Sequence, residues 1–403
     1  MKKLPLMLAT AAMLSLAGRC TPAQEAKWTG SWAAAPVAAP AADNAIGPEG
    51  KTYRDIVHLS LGGRAIRLRI SNEFGATPLT VGSVHVALSN GGDTVQPASD
   101  RAVTFNAEPS VVIPAGSIAI SDLIAMPVQP FANLAVSLFV PEQSSVSLTM
   151  HTLASSSNYV AVGNLAASAS LDGATKTTHW YLLKGVDVDA GPRATAVVVL
   201  GASISDGYHS TIDKNVRWPD DLAARLQTGK RIAHIGVLNE GISGNRLLHD
   251  STGPSALARF DRDVLAQSGT KYVIVSLGTN DIGRTFFPNK PHEEVTAEQM
   301  KWALQQLVLR AHACGVRVIA TTLTPFEGAG YYNDAGEQMR QAFNSYVRTS
   351  GIADGVVDFG RAAKDPAHPA RLLPAFDSGD HLHPNDAGYK AMADSIDLSL
   401  FSK

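Results

Sequence analysis

The periodicity of the sequence changes near residue 190, and this change constrains the fold more than any other feature. From about residue 28 to 189, apolar and polar residues alternate, as in "IRLRI" at 66–70, and turn sequences separate the short runs. Such alternation is typical of half-buried β-strands, and many short strands with regular turns indicate a sandwich or jelly roll. We therefore predict an all-β sandwich or jelly-roll domain over residues 25–192.

Beyond residue 193, continuous apolar runs alternate with helical patterns. The strand candidates cover 196–201, 232–239, 272–278, 316–323 and 355–359, and the helix candidates cover 218–227, 254–266, 296–313, 333–350 and 386–399. Apolar strands separated by helices indicate a parallel sheet that helices cover on both faces. Because 403 residues are too many for one compact core, we predict that 193–403 form a second, α/β domain.

The N-terminus has the pattern of an export signal. A basic start precedes an apolar run over 4–17 that is too short to span a bilayer, and small residues follow. We predict a signal peptide over 1–24 and a secreted or periplasmic protein with no transmembrane segment. A lipoprotein signal would place Leu-Ala-Gly directly before Cys20, but Arg19 intervenes, so lipid attachment at Cys20 stays open.

Cysteine content and charge exclude some classes of protein. If Cys20 is cleaved off or lipidated, only Cys314 remains, and no intramolecular disulfide is expected. We expect Cys314, at the end of a helical pattern, to be a buried structural thiol. The net charge is −2, and nucleic acid binding needs clustered Lys and Arg. We therefore expect no nucleic-acid partner.

Polar residues follow the predicted parallel strands, where ligands bind in such sheets. Ser203 follows the first strand, and a late loop carries Asp380 and His383 three residues apart. A serine becomes a nucleophile when a histidine takes its proton, and a carboxylate fixes the tautomer of that histidine. We predict that Ser203 attacks, that His383 is the general base, and that Asp380 orients His383.

Two further loops offer groups that can hold an oxyanion. Gly244 follows the second strand, and Asn280 follows the third. Backbone N–H groups and side-chain amides are the usual donors to an oxyanion. We predict an oxyanion hole made of the N–H groups of Ser203 and Gly244 and the side chain of Asn280.

Other residues near these loops have competing interpretations. His381 and His383 form His-x-His beside Asp380, which is a pattern that zinc can use, but the chain shows no source of further ligands. We therefore predict no metal and no cofactor.

Asp206 and Asp281 are expected to cap helices. His209 and His249 are loop residues near the site and are candidates for substrate contact. The loop aromatic residues either line an acyl or sugar pocket or serve in packing: Phe286, Phe287, Phe326, Tyr331 and Tyr332.

Four sequence blocks in the second half resemble those of the SGNH, or GDSL, hydrolase family. They are "LGASISDG", "NEGISGN", "GTND" and "DHLHP", which occur in the family's order and span nearly all of 194–403. The resemblance implies a flavodoxin-like three-layer α/β/α fold and ester hydrolysis through an acyl-serine. It gives Ser203, Asp380 and His383 the catalytic roles and Gly244 and Asn280 the oxyanion roles. Ala202 stands where the family commonly has Asp.

The resemblance extends to the first half and to the substrate. "WTGSWAAAP" and "RLRISNEFG" are similar to the β-domain ahead of SGNH domains in some secreted bacterial members. The family implies short acyl esters, and export favours an acetylated polysaccharide or oligosaccharide as substrate. A lipase or arylesterase is the alternative within the enzyme class. A binding protein with a degenerate second half is the alternative outside it.

Overall fold

The computed structural model describes residues 27–143, 147–229, 231–286 and 293–402. The predicted signal peptide, with Cys20, lies outside these residues, as does Phe287. None of the described helices combines the length and the apolar character needed to cross a membrane.

The first half is built from short antiparallel strands. These are β1 (Trp28–Ala33), β2 (Val37–Ala38), β3 (Lys51–His58), β4 (Ile66–Asn72), β5 (Leu79–Val81), β6 (Ser83–Gly91), β7 (Thr94–Val95), β8 (Arg101–Val103), β9 (Val111–Ile113), β10 (Ser117–Ile120), β11 (Asn133–Val140), β12 (Thr149–His151), β13 (Asn158–Val162), β14 (Thr175–Thr177), β15 (Trp180–Tyr181) and β16 (Leu183–Asp189). The two larger sheets have the orders β1-β16-β4-β10 and β14-β13-β3-β11-β6-β7. Their apolar side chains share one hydrophobic core. This half is therefore β-rich, as its alternating sequence predicts.

The second half contains a five-stranded parallel sheet. Its strands are β17 (Thr195–Gly201), β18 (Ile235–Gly241), β19 (Thr270–Ser276), β20 (Arg317–Thr321) and β21 (Gly355–Val357). They lie in the order β18-β17-β19-β20-β21, and each neighbouring pair is parallel. This order, 2-1-3-4-5, is the one found in flavodoxin-like sheets.

Helices cover both faces of this sheet. They are α1 (Ser203–Asp206), α2 (Trp218–Thr228), α3 (Ala256–Phe260), α4 (Thr279–Thr285), α5 (Ala297–Ala313), α6 (Asp334–Thr349), α7 (Phe359–Ala362) and α8 (Asp386–Asp394). Successive side chains of β17 point to opposite faces, so Val198 joins the core under α5 and α6 whereas Val199 joins the core under α2 and α8. The predicted α/β fold is confirmed.

The two halves meet in an interface that is rich in polar contacts. β16 ends at Asp189 and β17 begins at Thr195. The guanidinium of Arg69, in β4, is buried and donates to Gln267 Oε1 at 2.7 Å. The N–H of Gly30, in β1, donates to the carbonyl of Ser268 at 2.8 Å. Specific hydrogen bonds, between side chains and between backbone groups, therefore set how the halves fit together.

The thiol of Cys314 is exposed, so the prediction of a buried structural thiol is wrong. Cys314 directly follows the last residue of α5, and Gly315 comes next with φ of 70°. The chain leaves the helix there, and the apolar stripe that packs on the sheet ends at Ala311.

Candidate active site

Ser203 lies on the tight turn that connects β17 to α1. Gly201 ends the strand, and a Cβ on Gly201 would lie 2.2 Å from Ser205 Oγ, so a larger residue does not fit. The helix ends at Gly207, whose φ of 97° lies in the left-handed region that favours glycine. The turn thereby holds Ser203 at the carboxyl edge of the parallel sheet, where its side chain is largely buried.

Two hydrogen bonds link Ser203 to Asp380 through His383. Ser203 Oγ is 2.8 Å from His383 Nε2, and His383 Nδ1 is 2.6 Å from Asp380 Oδ2. Asp380 Oδ1 accepts the backbone N–H groups of Leu382 and His383. Because a carboxylate only accepts, Nδ1 carries the proton and neutral His383 presents its Nε2 lone pair to the Ser203 hydroxyl. The arrangement can therefore take a proton from serine.

The pKa values of the two ionisable groups suit this task. Burial disfavours the charge of Asp380, but hydrogen bonds from the side chain and N–H of His383 and from the N–H of Leu382 lower its pKa to about 2. Burial also lowers the pKa of His383 below its ordinary value, although the bond and charge of Asp380 act in the opposite direction. At neutral pH Asp380 is ionised and His383 is a free base.

A second histidine contacts the same carboxylate. His209 Nε2 is 3.4 Å from Asp380 Oδ2, and the ring of Tyr208 lies 4.7 Å from that of His383. The hydroxyl of Tyr389 donates to the carbonyl of Tyr208 at 2.6 Å and anchors this loop. The sequence places His209 in a loop near the site, but nothing in it indicates the contact with Asp380.

Gly244 lies in a turn with both of its neighbours held in place. The N–H of Asn245 donates to the carbonyl of Ile242 at 3.0 Å, and Gly244 has φ of 83°, as at the third position of a type II turn. A Cβ at this position would lie 2.9 Å from Thr252 Oγ1. Asn280 Nδ2 donates to the carbonyl of Asn245 at 3.1 Å. A second N–H of the same amide remains for another acceptor.

The two acidic residues expected to cap helices bind other loops instead. Asp206 Oδ2 accepts both the N–H and the hydroxyl of Ser243 at 2.8 Å. Asp281 accepts the N–H groups of Leu247 and Leu248. Both carboxylates hold loops in place, and their partners lie far away in the chain, because each carboxylate is buried at a helix end that faces a neighbouring loop.

The second half matches a known family. The model of the family described as GDSL-like Lipase/Acylhydrolase matches residues 197–396. Residues 197–396 belong to this family. The predicted family resemblance is thereby confirmed, and the chain is an esterase or acylhydrolase of the GDSL type. Among curated proteins, none matches the chain.

Several solved structures are similar to about half of this chain. A GDSL-like lipase from Bacteroides thetaiotaomicron is 20% identical, with a TM-score of 0.39, over 51% of this chain and 87% of the other. An acetylxylan esterase from Geobacillus stearothermophilus is 23% identical, with a TM-score of 0.40, over 52% and 94%. An alpha/beta hydrolase from the metagenome of Lake Arreo is 23% identical, with a TM-score of 0.40, over 53% and 97%.

A cavity of the GDSL domain adjoins Ser203. Its lining combines apolar and polar side chains, among them Ile204, Leu277, Asn280, Leu323, Thr324, Tyr331, Leu382 and Met392. The hydroxyls of Thr324 and Tyr331 are buried without a hydrogen-bond partner among the described residues. The ring of Tyr331 packs on Phe326. The cavity therefore offers space next to the nucleophile.

Potential metal ligands gather differently from the His-x-His pattern. His381 Nδ1 pairs with Asp377 Oδ2 at 2.6 Å, and its side chain is exposed, so it does not join His383. Within the described part of the chain, His209, Asp380 and His383 bring their ligand atoms within 4.8 Å of one another. Two of these three residues form the hydrogen-bonded chain to Ser203, so a metal ion there would compete with it.

Proposed function

We propose that the protein is a secreted serine esterase that removes short acyl groups, acetyl above all, from carbohydrate through an acyl-serine intermediate. The observation that carries the mechanism is the chain of two hydrogen bonds, 2.8 and 2.6 Å long, from Ser203 Oγ through His383 to Asp380. Export rests on the N-terminal sequence pattern. The alternating strands and the shared core of the first half support a sandwich or jelly roll there.

In the first half-reaction, Ser203 Oγ attacks the ester carbonyl while its proton moves to His383 Nε2. The tetrahedral intermediate collapses when His383 gives that proton to the leaving alcohol, and an acyl-serine remains. His383 then takes a proton from water, which attacks the acyl-serine. As the second tetrahedral intermediate collapses, His383 returns this proton to Ser203 Oγ, and the carboxylic acid leaves. Asp380 accepts the hydrogen bond from Nδ1–H throughout, remains ionised, and stabilises the imidazolium.

The negative oxygen of each tetrahedral intermediate needs donors that are already in place. In this mechanism the N–H groups of Ser203 and Gly244 and the second N–H of Asn280 provide them. The bond from Asn280 to Asn245 and the left-handed conformation of Gly244 support this assignment. Removal of one such donor typically costs about 3 kcal/mol in the transition state.

The cavity beside Ser203 supports a small acyl group. Leu323, Tyr331 and Leu382 fill the space around it with large side chains. A long acyl chain is therefore disfavoured on steric grounds.

An ester panel tests the substrate proposal. We expect kcat/KM to be highest for p-nitrophenyl acetate and to fall for butyrate and octanoate, and we expect acetate release from at least one of acetylated xylan, pectin and xyloglucan. Initial rates and released acetate are measured with the mature chain. A maximum at octanoate, or activity on aryl esters with no release from any polysaccharide, would instead favour the lipase or arylesterase alternative.

The pH profile tests the role of His383. We expect kcat/KM for p-nitrophenyl acetate to rise with pH along one ionisation, with a midpoint below the ordinary histidine value of about 6.5. The reason is that burial lowers the pKa of His383, and the protonated form, which dominates below that pKa, cannot accept the serine proton. The measurement is the initial rate across the acidic and neutral range, with circular dichroism to check that the protein stays folded.

Replacing His209 tests the same pH profile of kcat/KM. Its charge is one of the influences that lower the pKa of His383, so His209→Gln should move the midpoint upwards. A wild-type midpoint above the ordinary histidine value would contradict the prediction, because the charge of Asp380 would then outweigh burial.

A further inference from the structure

A histidine of the N-terminal half is buried beside the helix that carries Ser203. His151, at the end of β12, places Nε2 2.9 Å from Asp206 Oδ1, and its Nδ1 is 2.8 Å from the carbonyl oxygen of Ala35. The side chains of His151 and Asp206 are 4% and 2% exposed. A polar pair that is buried this deeply contributes only if its hydrogen bonds are complete.

The partners of His151 fix its charge. The carbonyls of Ala35 and Leu153 and the carboxylate of Asp206 can only accept hydrogen bonds. Both ring nitrogens therefore carry protons, and the pair is an imidazolium and a carboxylate. Burial opposes this charge, but the charge and hydrogen bond of Asp206 raise the pKa of His151 above its ordinary value.

The second oxygen of Asp206 binds the turn that carries Gly244, residues 242–245, which we call the oxyanion turn. Asp206 Oδ2 accepts the N–H and the hydroxyl of Ser243, each at 2.8 Å. Ser243 directly precedes Gly244, and the ψ angle of a residue sets the direction of the next N–H in the chain. Because two bonds hold Ser243, they also hold the direction of the Gly244 N–H.

We propose that His151 is a positioning residue of the esterase: it holds Asp206 so that Asp206, through Ser243, fixes the N–H of Gly244 toward the oxyanion. The inference rests on the proposed function and gives the N-terminal half a direct part in catalysis. An ion pair that only stabilised the interface would have no need of a carboxylate three residues after the nucleophile whose other oxygen binds the oxyanion turn.

The test compares His151→Ala and His151→Gln in the full chain. Fluorophosphonate labelling of Ser203 counts the active sites, and p-nitrophenyl acetate gives kcat and KM. For His151→Ala we expect kcat per labelled site to fall by about 10- to 100-fold, below the 10²- to 10³-fold typical for loss of a whole donor, with KM little changed. His151→Gln keeps an N–H toward Asp206 and should recover part of this loss.

Two further variants calibrate the result. Asn280→Ala removes a proposed donor outright and sets the upper limit of the effect. Arg67→Met breaks a different interface contact, the bonds of Arg67 to Asp187 and Ser268. It should lower the melting temperature while leaving kcat per labelled site unchanged, because these residues do not touch the oxyanion turn.

The outcomes separate this proposal from the proposed function. If both His151 variants lose labelled sites or thermal stability but keep the wild-type kcat per site, His151 is only structural and the proposal is overturned. If His151→Ala fails to fold, the kcat per site of His151→Gln against that of Arg67→Met decides, and equal values overturn the proposal. A wild-type protein that neither labels nor hydrolyses esters would overturn the proposed function and this inference with it.

Discussion

Replacing Ser203 by alanine should lower kcat for p-nitrophenyl acetate by about a million-fold, the typical cost of losing the nucleophile of a serine hydrolase. Alanine cannot form the acyl-enzyme, and His383 loses the hydroxyl that lies 2.8 Å from its Nε2. The side chain is small and the turn is held by Gly201 and Gly207, so the melting temperature should stay close to that of the wild type. Initial rates and a thermal melt measure the two effects.

Ser205→Ala is the matched control. Ser205 lies two residues further along the same short helix, and its hydroxyl is buried without a partner among the described residues. Removing an unpaired buried hydroxyl leaves the free energy of unfolding unchanged or slightly raises it. The fold around Ser203 should therefore be kept, and kcat should stay near the wild-type value. Substantial activity in purified Ser203→Ala, or an equal loss in Ser205→Ala, would rule out Ser203 as the nucleophile.

Replacing Asp380 by asparagine should lower kcat by about ten-thousand-fold, as for the triad carboxylate of other serine hydrolases. Asparagine keeps the shape but cannot stabilise the imidazolium. Its amide can also donate to Nδ1 of His383, which moves the ring proton to Nε2 and leaves no base facing Ser203. Steady-state rates at a pH where His383 is neutral measure the effect.

Asp377→Asn is the control for charge and loop structure. Asp377 binds His381 in the same loop at 2.6 Å, the same distance that separates Asp380 from His383. The pair formed by Asp377 and His381 does not reach Ser203, so kcat should change only a few-fold. If the two substitutions had equal effects, the loss would reflect a disturbed loop and not the chemistry of Asp380.

Local sequence patterns were sufficient to predict the α/β domain. The run at 196–201 predicts β17 (Thr195–Gly201) to within one residue, because residues 196–201 of this central parallel strand are all buried and therefore form a continuous apolar run. The prediction for β18 is shifted: the apolar run begins at 232, but the strand begins at Ile235. Ile232 instead belongs to a turn, in which its N–H donates to the carbonyl of Gly229. Apolar residues that pack under a turn look the same in sequence as those of a strand.

Contacts between distant parts of the chain could not be predicted in this way. The sequence shows Asp206 three residues after Ser203, and a helix cap is the ordinary interpretation of a short acid there. Its bond to His151 depends on how the two halves pack, and its bond to Ser243 depends on how two loops of the second half converge. The same holds for His209 and Asp380, which meet because loops after different strands converge at one edge of the sheet. The motif order predicted that Ser203, His383 and Asp380 act together. It did not predict the residues that surround them, because those contacts depend on tertiary packing.

The interface also bears on how such a chain can evolve. Arg69 and His151 of the first half bind Gln267 and Asp206 of the second, and all four are buried. A foreign β-domain docked on the same face would bury the Asp206 carboxylate without its imidazolium, and breaking a buried ion pair in this way costs roughly 3–5 kcal/mol. Recombination that exchanges one half is therefore penalised unless the partner side chains come with it. We expect the two halves to be inherited and to diverge as one unit.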